Sequence, residues 1–255
     1  VEKRGGNILK EVACPPPRRA MSPEKNLMIK NLFNLATFAA LSVALSGSGT
    51  SAAPPVVQTQ LANSLEQQRQ AILEDPIAPR VEPKGYDVTI IEYMDYQCPY
   101  CRASHGPLKQ LLAADRKVRI IYRDWPIFGP ASERAARLAI ASQWQGKHAA
   151  FYDALMTTPQ PLSEAKIRAA AKRSGVNWSH LEADLEAHST DIEALLKRNA
   201  DQAELLGLEG TPGFIIGNVQ SFGGMSLAQL QEAVSKARHD RAHGVLGLPQ
   251  QPVGL

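Results

Sequence analysis

The sequence predicts an α/β fold in which a helical block is inserted into one sheet-bearing domain. Three observations carry this. A β-rich run at 88–94 leads through a helix-compatible stretch into a second β-rich run at 118–122, the pattern of a βαβ unit. Residues 131–206 then show helical patterns only. Strand signals return at 213–224, so the flanking β-rich parts are expected to share one sheet with the helices laid over it.

The first 53 residues stand apart. Lys25 and Lys30 precede an apolar stretch at 32–45 broken only by Asn34, Thr37 and Ser42, and 47–53 is a run of small residues. This is the order found in a secretory signal peptide, with cleavage expected near Ala52/Ala53 and a periplasmic or otherwise exported mature chain. The apolar stretch is shorter than the roughly 18 residues of a membrane span. Met28 is the expected start, with Met21 as second choice, and residues 1–27 carry no fold signal.

Residues 54–79 are polar and Gln-rich (Gln58, Gln60, Gln67, Gln68, Gln70), with sparse apolar positions at Val57, Leu61, Leu65 and Ile72. The spacing predicts one amphipathic helix ending near Asp75-Pro76. A helix this short is marginal alone in water. It must pack on its own domain, pair with copies as a homo-oligomer, or stay free at the surface.

One α/β domain is expected over 80–240, with the helical insertion at about 131–206. Residues 88–94 are dense in β-formers and read as a buried central strand. Helix 101–114 follows, with Gly106-Pro107 expected to kink it. Strand 118–122 completes the unit. In the block 131–206, helices are expected over 131–145, 148–156, 163–174, 180–187 and 190–206. Ser163 and Ser179 look like starts, and Gly175 and Gly207 like stops. Trp125, Trp144 and Trp178 read as packing residues, and Glu182, Asp184 and Glu186 as a solvated helix face. Gly217-Asn218 marks a turn between two short strands. A last helix opens at Ser226 and runs to about 238, with 241–255 as a flexible tail.

The formal net charge of +3 misleads about partners. Residues 1–53 hold 7 of the 28 Lys+Arg and 3 of the 25 Asp+Glu, which leaves −1 from residue 54 onward. A nucleic-acid footprint is not supported. No G-x-S-x-G, P-loop or H-E-x-x-H occurs.

Cys98-Pro99-Tyr100-Cys101 carries the chemistry. It joins a strand to a helix start, where unpaired N–H groups and the helix dipole favour a thiolate. Only a thiolate attacks disulfides, and Cys101 one turn on is placed to close or resolve one. Cys98 is therefore expected to be partly exposed and Cys101 buried. Structural zinc needs four ligands; the third cysteine, Cys14, lies before the cleavage site, and no closely spaced His pair is near. His105 is expected to be an exposed helix residue. Export adds an oxidising compartment, in which a chain whose only mature cysteines share one motif uses them for chemistry. Gly210-Thr211-Pro212-Gly213 opens the late strand, where Pro need not donate to a ladder. A cis Thr211–Pro212 bond is rare on general grounds.

These residues together resemble the thioredoxin superfamily, specifically DsbA-like secreted thiol–disulfide oxidoreductases. The match rests on Ile91-Glu92-Tyr93-Met94-Asp95-Tyr96-Gln97-Cys98-Pro99-Tyr100-Cys101, on Asp124-Trp125-Pro126-Ile127-Phe128-Gly129-Pro130 and on Gly210-Thr211-Pro212. It covers about residues 75–237 and looks most like the branch with an N-terminal helical extension. The resemblance implies a thioredoxin-like fold with an inserted helical domain. It implies catalytic roles for Cys98 (attack), Cys101 (resolution) and a cis Pro212. Thr211, Pro99 and Tyr100 would meet substrate, and Glu92 would relay protons from below the pair. No cofactor is implied beyond a Cys98–Cys101 redox disulfide, and no metal. The implied partners are client proteins with cysteines and a membrane redox partner that reoxidises or reduces the pair. Tyr100 departs from the His of strongly oxidising members, which points to a less oxidising site. The alternative reading is a periplasmic copper-handling protein using the same two soft thiolates; a third is an adhesion module that uses the fold only.

Overall fold

The computed structural model describes residues 67–243, together with Asn63. The signal-peptide reading, most of 54–66 and the end of the tail lie outside the described residues.

β1 (Arg80–Val81), β2 (Val88–Met94), β3 (Val118–Asp124), β4 (Gly213–Ile216) and β5 (Val219–Phe222) form one sheet in the order β1-β3-β2-β4-β5. β2 and β3 are parallel, with Val88 opposite Val118 and Met94 opposite Asp124, and α1 (Pro99–Ala114) is their crossover. The other pairings are antiparallel. This is the α/β arrangement that the strand and helix patterns predict, and it is thioredoxin-like, as the resemblance implies. β2 is central because its VTIIEYM run offers apolar or β-branched residues to both faces, and six of its seven residues are buried. β3 extends two residues beyond the expected Tyr122, because Arg123 and Asp124 stay paired with Tyr93 and Met94 in the ladder. β1 has no sequence signal at two residues.

α1 starts at Pro99 and passes through Pro107 as one helix. The inserted block is α2 (Pro130–Ala141), a 3₁₀ turn (Ser142–Gln145), α3 (His148–Met156), α4 (Glu164–Arg173), α5 (Trp178–Ala187) and α6 (Ser189–Leu205). The expected helix over 131–145 tightens into the 3₁₀ turn and stops at Gly146, whose φ of 65° is left-handed. Ser163 caps α4 as expected. α5 is capped by Asn177, which accepts from the His180 N–H; Ser179 only donates to that cap. Trp144 is 37% exposed, stacked on His188 rather than packed in the core. The block has no core of its own: Phe151, Leu155, Leu181, Ile192 and Leu195 belong to one cluster with Ile90, Ile120 and Ile215 of the sheet.

α7 (Leu227–Ala242) opens on a capping box of Ser226 and Gln229 and outruns the expected end near 238. Arg238 binds the carboxylates of Asp87 and Asp115, and Lys236 pairs with Asp240, so tertiary and i,i+4 contacts hold the last turn in what was expected to be tail. In the extension, a helical turn at 67–73 buries Ile72 in the same core. This part packs on its own domain.

Candidate functional site: the cysteine pair at the start of α1

The sequence places Cys98 at the junction of a strand and a helix because Pro99, lacking an N–H, suits the first helical position. Cys98 is the N-cap, with extended backbone (φ −68°, ψ 121°). Its N–H donates to the Asp95 carbonyl at 3.1 Å, and its carbonyl accepts the Arg102 N–H at 3.2 Å. Asp95 builds the loop. Its carboxylate accepts from the N–H of Gln97 and from Ser132 Oγ, and from the N–H groups of Ile127 and Phe128, at 2.6–2.9 Å. One buried acid thus ties the cysteine turn to the 126–132 segment. Sequence reasoning gave Asp95 no role, although it sits in the matched motif three residues before Cys98.

Across from Cys98 lies the loop entering β4. The Thr211–Pro212 bond is cis. The Cys98 S–H donates to the Thr211 carbonyl at 3.0 Å, and the Pro212 carbonyl accepts from the Gly223 N–H at 2.8 Å. A Cβ at Gly213 would lie 2.7 Å from the Leu208 side chain, which would have to shift to admit one. The structure therefore brings Cys98, Cys101, Thr211 and Pro212 together, although more than a hundred residues separate the two motifs.

Both cysteines are free thiols and both are buried. Cys98 is 1% exposed, which corrects the expected partial exposure: the Thr211 carbonyl sits on its sulfur. The two thiols are driven apart. A hydrogen bond from Cys101 lowers Cys98 most, Thr211 and the N–H groups of Cys101 and Tyr100 add to it, and burial opposes; the result is about 6. Ionisation removes the S–H bond to the Thr211 carbonyl; the Thr211 hydroxyl is buried without a hydrogen-bond partner. Cys101 moves well up, first through burial, then through its bond and proximity to the Cys98 sulfur and the Glu92 charge.

Glu92 is buried beneath the pair. Its Oε2 accepts from the Tyr152 hydroxyl at 2.9 Å, and its Oε1 has no protein partner. Burial, the chief cause, pushes its carboxyl up to about 8. Asp124 at the end of β3 is also buried and is raised to about 7, again chiefly by burial. His105 is buried, not exposed: its Nε2 meets Asp153 Oδ1 at 2.8 Å and its ring stands edge-on to Tyr152. Pro99 and Tyr100 lie outside, with Tyr100 half exposed. Ile127 and Phe128 add exposed apolar surface on the segment that Asp95 holds against the motif. Among the described residues, no group of three or more His, Cys, Asp or Glu side chains could hold a metal ion.

A thioredoxin-like sheet, a C-x-x-C at a helix N-terminus and a cis-proline loop against its first sulfur define the class. Residues 89–235 match the DSBA-like thioredoxin domain, and the chain belongs to that family. It is similar to a thioredoxin-like oxidoreductase from Silicibacter pomeroyi DSS-3, with 37% identity, 67% of this chain and 98% of that one covered, and a TM-score of 0.63. It is also similar to the thiol-disulfide exchange protein alpha-DsbA2 from Wolbachia pipientis, with 25% identity, 72% and 99% covered, and a TM-score of 0.63. A curated relative, Na(+)/H(+) antiporter NhaA 3 of Salinispora tropica, is 28% identical over 162 residues, 61% of this chain and 24% of the antiporter. The chain thus spans about a quarter of the length of the curated relatives it matches.

Proposed function

We infer that this protein exchanges disulfides with cysteine-bearing client proteins through Cys98. The observation that carries this is the opposed pair: a nucleophile lowered to about 6 beside a buried thiol that is raised. At neutral pH Cys98 is largely thiolate and Cys101 is not.

The Cys98 thiolate attacks one sulfur of a client disulfide. A Cys98–client bond forms, the client S–S bond breaks, and the leaving client thiolate takes up a proton. Cys101 then gives its proton to Glu92 in its ionised form, the minor one at neutral pH because burial raises that carboxyl to about 8, and its thiolate attacks the Cys98 sulfur. The Cys98–Cys101 disulfide forms and the second client sulfur leaves. Two electrons pass from the pair to the client. Run in reverse, the oxidised pair makes a client disulfide. If the client rearranges before Cys101 attacks, the result is isomerisation. Thr211 offers its backbone to the client beside Pro212, and Pro99 and Tyr100 border the approach.

The N-terminal signal features support an exported site of action, with a membrane partner that resets the pair. Tyr100 in place of His favours a less oxidising site, which suits isomerisation, and a homo-oligomer through 54–79 would bring several sites to one client. The copper reading would use the same two thiols; a mass shift with copper under reducing conditions tests it. Insulin reduction and refolding of scrambled ribonuclease test the proposal. Cys98→Ser should abolish both. Undiminished activity in that variant would remove Cys98 from the mechanism.

A further inference from the structure

Glu92 is faced from every side by groups that the fold brings in. The cysteine turn and α1 contribute the two thiols, β3 contributes Tyr122 and Asp124, and the turn after β2 contributes Tyr96. α3 contributes Tyr152, whose ring stands against those of His105 and His148, and the register neighbour on β4 is the apolar Phe214. No cation is among the groups that shift this acid. Among the described residues, Tyr152 is the only group hydrogen-bonded to its carboxylate.

Tyr152 is itself held in place. Its ring packs against Tyr122 at 4.6 Å, His105 at 5.2 Å and Tyr96 at 6.2 Å between centroids. The next residue, Asp153, binds His105 Nε2 at 2.8 Å and Lys109 Nζ at 2.7 Å. Two successive residues of α3 therefore grip the sheet acid and the helix that bears the cysteines.

We propose that Tyr152 is the positioning residue for Glu92, so that the inserted helical block supplies the hydrogen bond that keeps this acid aimed at the cysteine pair and able to ionise. A hydroxyl donor favours a carboxylate over its protonated form. Without the donor, Glu92 stays in a cage of tyrosine rings with nothing to stabilise its charge, holds its proton to higher pH and accepts the Cys101 proton less readily. No new reactant enters: the proton passes from Cys101 to Glu92, and the client disulfide remains the oxidant.

The proposal rests on the exchange reading above, and the test separates the two. The rate of reduction of a disulfide-bonded peptide is followed against pH for the full protein, Tyr152→Phe, Glu92→Gln and the double variant, with Tyr122→Phe as a packing control. In parallel, the infrared carbonyl band of protonated Glu92 is titrated, a readout independent of turnover. Tyr152→Phe should move the Glu92 limb and the band upward by about one pH unit, roughly tenfold in rate at a fixed pH below the limb. Tyr122→Phe should not, and the double variant should match Glu92→Gln. A Tyr152→Phe profile that superimposes on wild type while Glu92→Gln loses the limb overturns the Tyr152 assignment alone. A wild-type protein without exchange activity overturns both readings, whereas an active wild type with an unchanged Glu92→Gln profile overturns the Tyr152 assignment and the Glu92 relay and leaves exchange through Cys98 standing.

Discussion

Cys98 and Cys101 are three positions apart, yet their surroundings push them in opposite directions. The largest influence lowering Cys98 is its neighbour, so titration of the reduced protein by thiolate absorbance should give a midpoint near 6 that rises in Cys101→Ala. At limiting iodoacetamide the wild-type protein should be alkylated at Cys98 first. A midpoint unmoved by Cys101→Ala would show that helix position, not the partner thiol, sets the nucleophile. Glu92 makes a second residue-scale prediction. Its folded value, about 8, lies above the ordinary 4.5, so the folded state binds the extra proton. The stabilisation is full below about 4.5 and is lost as pH rises through about 8. Relative to Glu92→Gln, the wild type should lose stability toward urea between about pH 5 and about pH 8, by a few kcal/mol at ~1.4 kcal/mol per unit. A constant difference would contradict the buried, raised acid. The C-x-x-C was legible as a short motif with a local mechanism, whereas the place of Thr211-Pro212 at the site followed only from the family resemblance. Tyr152 was not legible, because its bond to Glu92 spans 60 residues and depends on where α3 lands. His105 was misread as exposed because helical spacing cannot show that Asp153 and Tyr152 cover it.

At the scale of elements, the end of the N-terminal extension is fixed by charge inside the protein. Arg123 on β3 is fully buried, donates to Asp75 Oδ2 and Asn199 Oδ1 at 3.1 Å each, and also reaches the Ile72 carbonyl. Arg198 of α6 binds the same Asp75 through two nitrogens at 2.9 and 3.1 Å. One carboxylate thus joins the extension, the sheet and the inserted block. Asp75→Ala strands the Arg123 charge and should cost ~3–5 kcal/mol in urea unfolding. Adding Arg123→Met should recover part of that loss. A cost below about 1 kcal/mol would mean that the cluster is not what docks this segment. β2, α4 and the β4–β5 hairpin were legible from β-branched runs, a Ser cap and a Gly-Asn turn. β1 was not, since two residues in an edge pairing carry no periodicity. The last turn of α7 was missed because its anchors, Asp87 and Asp115, lie far away in sequence.

For the whole molecule, the sheet and the inserted helices share one core, and the site draws on both. β2, α1 and the β4 loop supply the acid, the thiols and the proline; α2 supplies Ser132 to the Asp95 loop; α3 supplies Tyr152. The insertion is therefore part of the cysteine pair's framework rather than an appended module. The strand–helix–strand pattern with a helical interruption made that architecture legible, whereas the contacts that make the interruption part of the site did not follow from any local pattern. The central claim is that Cys98 alone makes the first bond to a client and that Cys101 releases it. Mass spectrometry of the Cys101→Ser variant after incubation with a disulfide-bonded client tests this most directly. A client joined through Cys98, absent in Cys98→Ser, is the predicted result; no adduct in Cys101→Ser, or an adduct on Cys101 in Cys98→Ser, would contradict it.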